Sequence, residues 1–280
     1  MGIHFDTNGV ATPDAQHVGK KVVIVALPVP WSPDDAIDEP QRWLGTSPLL
    51  DLGDPKLRLK VHSLVQLCQT DREKALAVYG YVKRLPLSRR LKLRPLTARE
   101  VYDAGRGDAP DKATLLVAML RIAKIPARLR IVGVSGEILR GVAPGLKEAY
   151  RPVVEVFLHE RWLRTDTFIY DAACMAAARQ RLKDLGWEWG YGIHVNGHMV
   201  WNGHEDAFLG GVPTECDLMV VAQLGVYHDP AHYQRARPSR RHSRLRVLYW
   251  NMVAPLVDGA YRSLRNEMQR PSAPPSSRIS

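Results

Sequence analysis

The chain has 280 residues, 45% of them hydrophobic and 24% charged, with a formal net charge of +10. That length suits one large domain or one domain with an appendage, and that balance excludes a wholly disordered chain. Three cysteines far apart in sequence, Cys68, Cys174 and Cys216, exclude a disulfide-stapled scaffold and a cysteine zinc site, because no C-x-x-C pair occurs.

The excess of Lys and Arg permits contact with nucleic acid or an anionic membrane, since cations release counterions from phosphates. It is concentrated in "VKRLPLSRRLKLRP" (82–95) and "QRARPSRRHSRLR" (234–246). Neither run carries a nucleic-acid recognition motif, so the expectation is a solvated basic face rather than specific nucleic-acid binding. The first residues, "MGIHFDTNGVATPD", show no apolar leader, and Asp6 stands where a myristoylation signal requires Ser or Thr. No run is long and apolar enough to span a bilayer, and a cytoplasmic protein is expected.

In chain order, residues 1–39 read as an N-terminal strand and loop: "KKVVIVALPVPW" (20–31) is β-branched and ended by prolines. Residues 54–69 and 70–85 each open on a capping Asp or Thr and carry apolar residues at helical spacing, predicting two successive helices. A short helix over 96–105 is stopped by Gly105, and the next opens at "GDAPDKATLL" and closes before Ile125-Pro126. Residues 127–134 predict a strand, and 151–171 two strands around a tight turn near His159 and Glu160. A helix ended by Gly186 (172–192) and an irregular, Gly-rich stretch (193–215) follow. Helices followed by antiparallel strands place residues 40–230 in the α+β class. Residues 231–269 form a basic C-terminal helical extension, amphipathic over 242–269 with a bend expected at Pro255. Packing on the core is its main reading and docking at a membrane surface the alternative. Residues 270–280 read as a disordered tail.

The stretch "GRGDAPDK" is built as a helix start: Asp108 can cap the first N–H groups, and Pro110 lacks a donor that would be orphaned there anyway. A cysteine at such a start has its thiolate stabilised by the free N–H groups and the helix dipole. Here the position holds Ala109, which has no reactive atom.

These residues resemble the transglutaminase-like superfamily, of papain-like fold, whose helix start "GDC-x-x-K-A-x-L" precedes "GIPAR" and a strand. In this chain the corresponding stretches are "GDAPDKATLL" and "KIPARLRIV". The family's next strand, H-x-x-V-E-V followed by RW-x-x-x-D, is matched by "RPVVEV" and "RWLRTD". The resemblance runs over roughly residues 40–230. It implies an α+β fold with a helix cluster packed on an antiparallel sheet. It also sets the family's cysteine nucleophile at Ala109, the histidine base at Arg151 and the orienting acid at Asp166.

Thiol acyl transfer needs a thiolate and a base of near-neutral pKa; Ala supplies neither, and Arg stays protonated. Inactivity as a transglutaminase or cysteine protease is therefore expected, with no cofactor implied. A nucleophile removed deliberately to trap a substrate is an alternative, but it gives no reason to replace the base as well. Asp166 and Arg151 are expected to form an ion pair on the hairpin. A sharper reading has Arg151 and the N–H groups of Ala109 to Asp111 form a pocket for a peptide or small anionic ligand, with proton transfer by Asp108, Asp111 or Asp166 as a further possibility.

Lys112, one turn along, reads either as solvated or as a charge at the cleft. Trp187 and Tyr191 read as packing and cleft-lining groups. His194, His198 and His204 are weak metal-ligand candidates, because Gly197 and Gly203 argue against the helix that their spacing would need. Cys68 is expected on an apolar helical face, and Cys174 and Cys216 away from any reactive setting.

Overall fold

The computed structural model describes residues 39–89, 91–143, 145–236 and 244–269. In it, helices begin where a polar side chain can accept an orphaned backbone N–H. Asp54 accepts from Leu57 at the start of α1 (Pro55–Val65). Reciprocal capping boxes open α2 (Asp71–Arg84, through Thr70 and Glu73) and α3 (Ala98–Ala104, through Thr97 and Glu100). Gly105, at φ 60°, ends α3 in the left-handed conformation that an L side chain resists.

Helix α4 (Ala109–Ile122) is opened by Asp108 and Asp111, each side chain accepting from the other's backbone N–H. Every residue from Asp111 to Arg121 is buried, so α4 is the central helix of the domain. Leu115, Leu116 and Leu120 are at most 1% exposed; burying each contributes roughly 1.5–3 kcal/mol. The chain leaves α4 through Lys124, at φ 67°, before Pro126.

Strands β1 (Ala127–Ser135), β2 (Glu148–Leu158) and β3 (Arg161–Thr165) follow. His159 and Glu160, both at positive φ, make the two-residue turn between β2 and β3 in the expected place, a twist that suits a hairpin. Helix α5 (Ala172–Asp184), capped by Asp171, precedes a two-stranded ladder of β4 (Trp189–Gly190) and β5 (Ile193–His194). Strand β6 (Val220–Tyr227), α6 (Pro230–Ala236) and α7 (Arg244–Gln269) complete the described elements. The antiparallel sheet has the order β3-β2-β1-β6, and α4 packs against β1 and β2.

Helix α7 is continuous through Pro255 and folds back on the domain, burying Ala254, Val257, Tyr261 and Leu264, with α5 as its main neighbour. Arg265 Nε lies 2.9 Å from Asp171 Oδ2, and its Nη2 donates to Leu87 O at 2.5 Å. Strand β6 was not foreseen from the sequence. Cys68 lies beyond the end of α1, its thiol directed at Leu64 O, rather than on a helical face. The strand expected over 20–31, the acylation position Asp6 and the tail over 270–280 lie outside the described residues. No helix among the described residues is long and apolar enough to cross a membrane.

Candidate functional site

Ala109, at the first position of α4, lines a cavity of about 510 Å³. The start of α4 supplies its polar wall, β2 contributes Tyr150 and Arg151, and α7 closes one side with Asn251, Val257 and Tyr261. Most of the remaining wall is aliphatic, from Ile131 and Val134 on β1 and Ile138, Leu139 and Val142 in the turn after it.

The two acids of the capping box are buried and need counter-charges. Lys92 Nζ supplies one, 2.8 Å from the Asp108 carboxylate and 2.6 Å from Asp111 Oδ1; Arg89 Nη1 lies 3.2 Å from Asp108 Oδ2. Burial works to raise the pKa of Asp108, but Lys92 and Arg89 outweigh it and hold the carboxyl below its ordinary value. At Asp111 burial and the Asp108 charge prevail over Lys92 and push the carboxyl up. The basic run over 82–95 is a solvated face only in part: Arg84 and Arg94 are exposed, but Lys83 is 8% exposed and Lys92 is drawn onto α4.

Arg151 is 6% exposed; it pairs with Val132 of β1, and its guanidinium reaches Asp166, just past the end of β3. Its Nη1 lies 3.4 Å from Asp166 Oδ2 and 3.5 Å from Asp217 Oδ2, while Nη2 is buried without a hydrogen-bond partner among the described residues. Asp166 Oδ1 accepts from the Leu209 N–H at 2.7 Å. Burial, opposed by Arg151, raises Asp166 to about 6. The Arg151–Asp166 contact stands where the sequence placed it; Asp217, far along the chain, was missed.

Asp108, Ala109, Asp111 and Arg151 therefore share one cavity, and Asp166 lies behind Arg151. The other sequence candidates are elsewhere. Lys112 is neither solvated nor at the cleft: it is fully buried, its Nζ donating to Leu85 O at 2.8 Å, Ile169 O at 2.9 Å and Lys83 O at 3.3 Å. Burial lowers its pKa to about 7. Trp187 and Tyr191 stack on each other at 6.4 Å, with Arg140 over the Trp187 ring, and neither lines the cavity. The aromatic lining comes instead from Tyr150, Tyr170, Tyr233 and Tyr261.

The amide part of the expected anion pocket is reduced to the Ala109 N–H. Pro110 has no N–H, and the Asp111 N–H is already taken by Asp108. The three candidate histidines have separate partners: His194 packs on Trp189, His198 Nδ1 accepts from the Phe208 N–H, and His204 stacks on His159. Among the described residues no three His, Cys, Asp or Glu side chains gather as metal ligands would.

No cysteine is among the residues that line the cavity. Cys174 does occupy the first turn of a helix, α5, but it is fully buried; burial and then the Asp171 charge push its thiol up to about 12.

A helix start set against an antiparallel hairpin, with Ala109, Arg151 and Asp166 on those two elements, falls inside one family match. Residues 60–167 match the family model for the transglutaminase-like superfamily. Over that segment the chain is similar to the transglutaminase-like superfamily, and the fold built on it is mixed helix and antiparallel sheet, as the sequence motifs implied. No curated protein matches the chain. Among solved structures, a proposed cysteine protease from Cytophaga hutchinsonii is 18% identical with a TM-score of 0.38, covering 47% of this chain and 43% of its own. A proposed protease from Parabacteroides distasonis is 16% identical with a TM-score of 0.32, covering 45% of this chain and 24% of its own. The chain thus spans less than half the length of either.

Proposed function

We propose that this protein binds a ligand in the former active-site cleft and carries out no thiol acyl transfer. The reading equates Ala109, Arg151 and Asp166 with the nucleophile, base and orienting acid of the family motif. The observation that carries it is the cavity of about 510 Å³ still open beside Ala109 and Arg151. A pocket of that size can enclose a small molecule. Arg151, fixed between Asp166 and Asp217, cannot take a proton from a nucleophile. The three cysteines, all free, accord with a reducing, cytoplasmic setting.

The test is a pair of variants, Ala109→Cys and Ala109→Cys with Arg151→His, assayed with an electrophilic thiol probe and with amide and ester donors. Acylation regained by the double variant, with none in the wild type, supports an intact cleft that lacks only its reactive groups. A remodelled cleft would leave both variants unreactive, with an introduced thiol titrating like free cysteine.

One observation favours a second reading, a repurposed enzyme. Asp111, held beside Asp108 and raised above the ordinary carboxylate range, is suited to hand over a proton in the cavity. Turnover by the wild type that Asp111→Asn abolishes, with the fold intact, would establish it.

A further inference from the structure

Arg151, in the cavity wall, has hydrogen-bonding capacity that the described residues leave unmet. A guanidinium carries five N–H donors in a rigid fork. At Arg151 both carboxylate contacts fall on the same nitrogen, and both, at 3.4 and 3.5 Å, are longer than a good charge-assisted bond. Nη2 is buried and has no partner among the described residues. An unmet donor in a buried charged group carries a penalty that a ligand oxygen would relieve.

The other charges around the cavity are largely spoken for. Lys92 and Arg89 hold Asp108 and Asp111, and Arg94 pairs with Glu100 at 2.6 Å. A cationic ligand would have to displace Lys92 to reach either acid. The basic lining residues Arg89, Lys92, Arg94 and Arg151 outnumber the acidic ones, Asp108, Asp111 and Glu148. The partners of Arg94 and Arg151, which are Glu100, Asp166 and Asp217, lie outside the lining, so it is the Nη2 of Arg151, unpartnered among the described residues, that favours a ligand oxygen.

Thr114, Gln234, Asn251 and four tyrosines also line the cavity, but its β1 side offers little to hydrogen-bond. Ile131, Val134, Ile138, Leu139, Val142 and Val257 are all aliphatic, so a peptide backbone laid along them would lose hydration of its amides without replacement. An unbroken hydrocarbon chain loses nothing there and gains by leaving water. Leu93 lines the cavity while 87% exposed, so apolar surface continues from the wall out to solvent.

From these relationships we infer that the cleft takes an aliphatic carboxylate, its head group paired with Arg151 and its alkyl chain along the β1 side of the cavity. The inference rests on the cleft-binding reading above and names the ligand class for it.

The experiment is isothermal titration calorimetry of the full chain with decanoate, and with decylammonium, decanol and a leucine-terminated hexapeptide as matched probes. Decanoate is expected to bind at least tenfold more tightly than the other three. Ala143→Trp, which fills the cavity from a partly buried position, should weaken decanoate at least tenfold. Arg151→Lys keeps the charge but loses the fork, and should narrow the preference for decanoate over decanol. Each variant is compared by its thermal melt, and Ala143→Trp serves if Arg151→Lys does not fold. Equal binding of the three decyl compounds would overturn the carboxylate assignment while leaving an apolar binding cleft. Binding of the peptide alone would overturn the ligand class while leaving cleft binding intact. Binding of decanoate untouched by Ala143→Trp would place the ligand outside the cavity and overturn the assignment. Failure of all four probes, with both cysteine variants above unreactive, would remove the cleft-binding reading itself.

Discussion

Lys92 reaches across the start of α4 to Asp111, with its Nζ 2.6 Å from Oδ1, and the same ammonium touches Asp108 at 2.8 Å. The backbone N–H of Lys92 donates to Asn251 on α7 at 3.2 Å, so one residue joins the helix start to the C-terminal helix. Its removal strands two buried carboxylates with, among the described residues, only Arg89 as a counter-charge. Lys92→Met is expected to cost about 2 kcal/mol in urea unfolding. Adding Asp111→Asn should recover part of that loss, since one unpaired charge goes with it. Equal losses in the single and double variants would show that Lys92 acts through its packing alone.

Asp166 predicts a pH dependence with a definite sign. Its folded pKa of about 6 lies above the 3.8 of an ordinary aspartate, so between those values the folded protein holds more protons than the unfolded chain. Its contribution to stability is present at lower pH and is lost as the pH rises through that window. Asp166→Asn keeps an oxygen for the Leu209 N–H and removes the titration. Urea midpoints of wild type and variant across pH 4 to 6 should therefore diverge, the wild type losing ground toward the upper end. Parallel profiles would show that Asp166 stays ionised in the folded protein.

Lys112 works in the opposite sense. With its pKa lowered from 10.5 to about 7 by burial, the folded state holds fewer protons than the unfolded one between those values. Stability contributed at this site should rise with pH across that interval, and Lys112→Met should abolish the rise. Differential thermal melts at several pH values would detect it. The variant also leaves three backbone carbonyls without their donor, and should be less stable by about 1–3 kcal/mol at high pH.

The cysteines should separate cleanly under alkylation. Cys216 is exposed, Cys68 half-buried and Cys174 buried with a thiol raised to about 12. Limited treatment with iodoacetamide at neutral pH, read by mass spectrometry, should modify Cys216 first and Cys68 more slowly. Cys174 should react only after denaturation. Rapid labelling of Cys174 in the folded protein would reopen it as a nucleophile.

Much of the fold was legible because its signals are local. Asp54, Thr70, Thr97, Asp108 and Asp171 each cap a helix within three residues, and Gly105 and Gly186 take the positive φ that ends one. Strand β6 was hidden because Gln223 and Gly225 interrupt its apolar pattern and its pairing with β1 is irregular. The site divides in the same way. Ala109, Arg151 and Asp166 stand at fixed spacings in motifs, so sequence order alone locates them. Arg89, Lys92 and Asp217 act through partners distant in the chain, and a basic run reads the same whether it meets solvent or a buried acid. The warning sign was available at Asp108 and Asp111: two acids at the start of an apolar helix need a cation from somewhere.

The wall that α7 gives the cavity has a consequence of its own. Asn251, Val257 and Tyr261 shape the space beside Ala109, yet all three lie outside residues 60–167. On the proposed cleft-binding reading, the family match and the selectivity for a ligand lie in different parts of the chain. On that reading, a second protein with the same core but a different C-terminal helix would keep the architecture and take another guest, and grafting one helix would exchange the specificity.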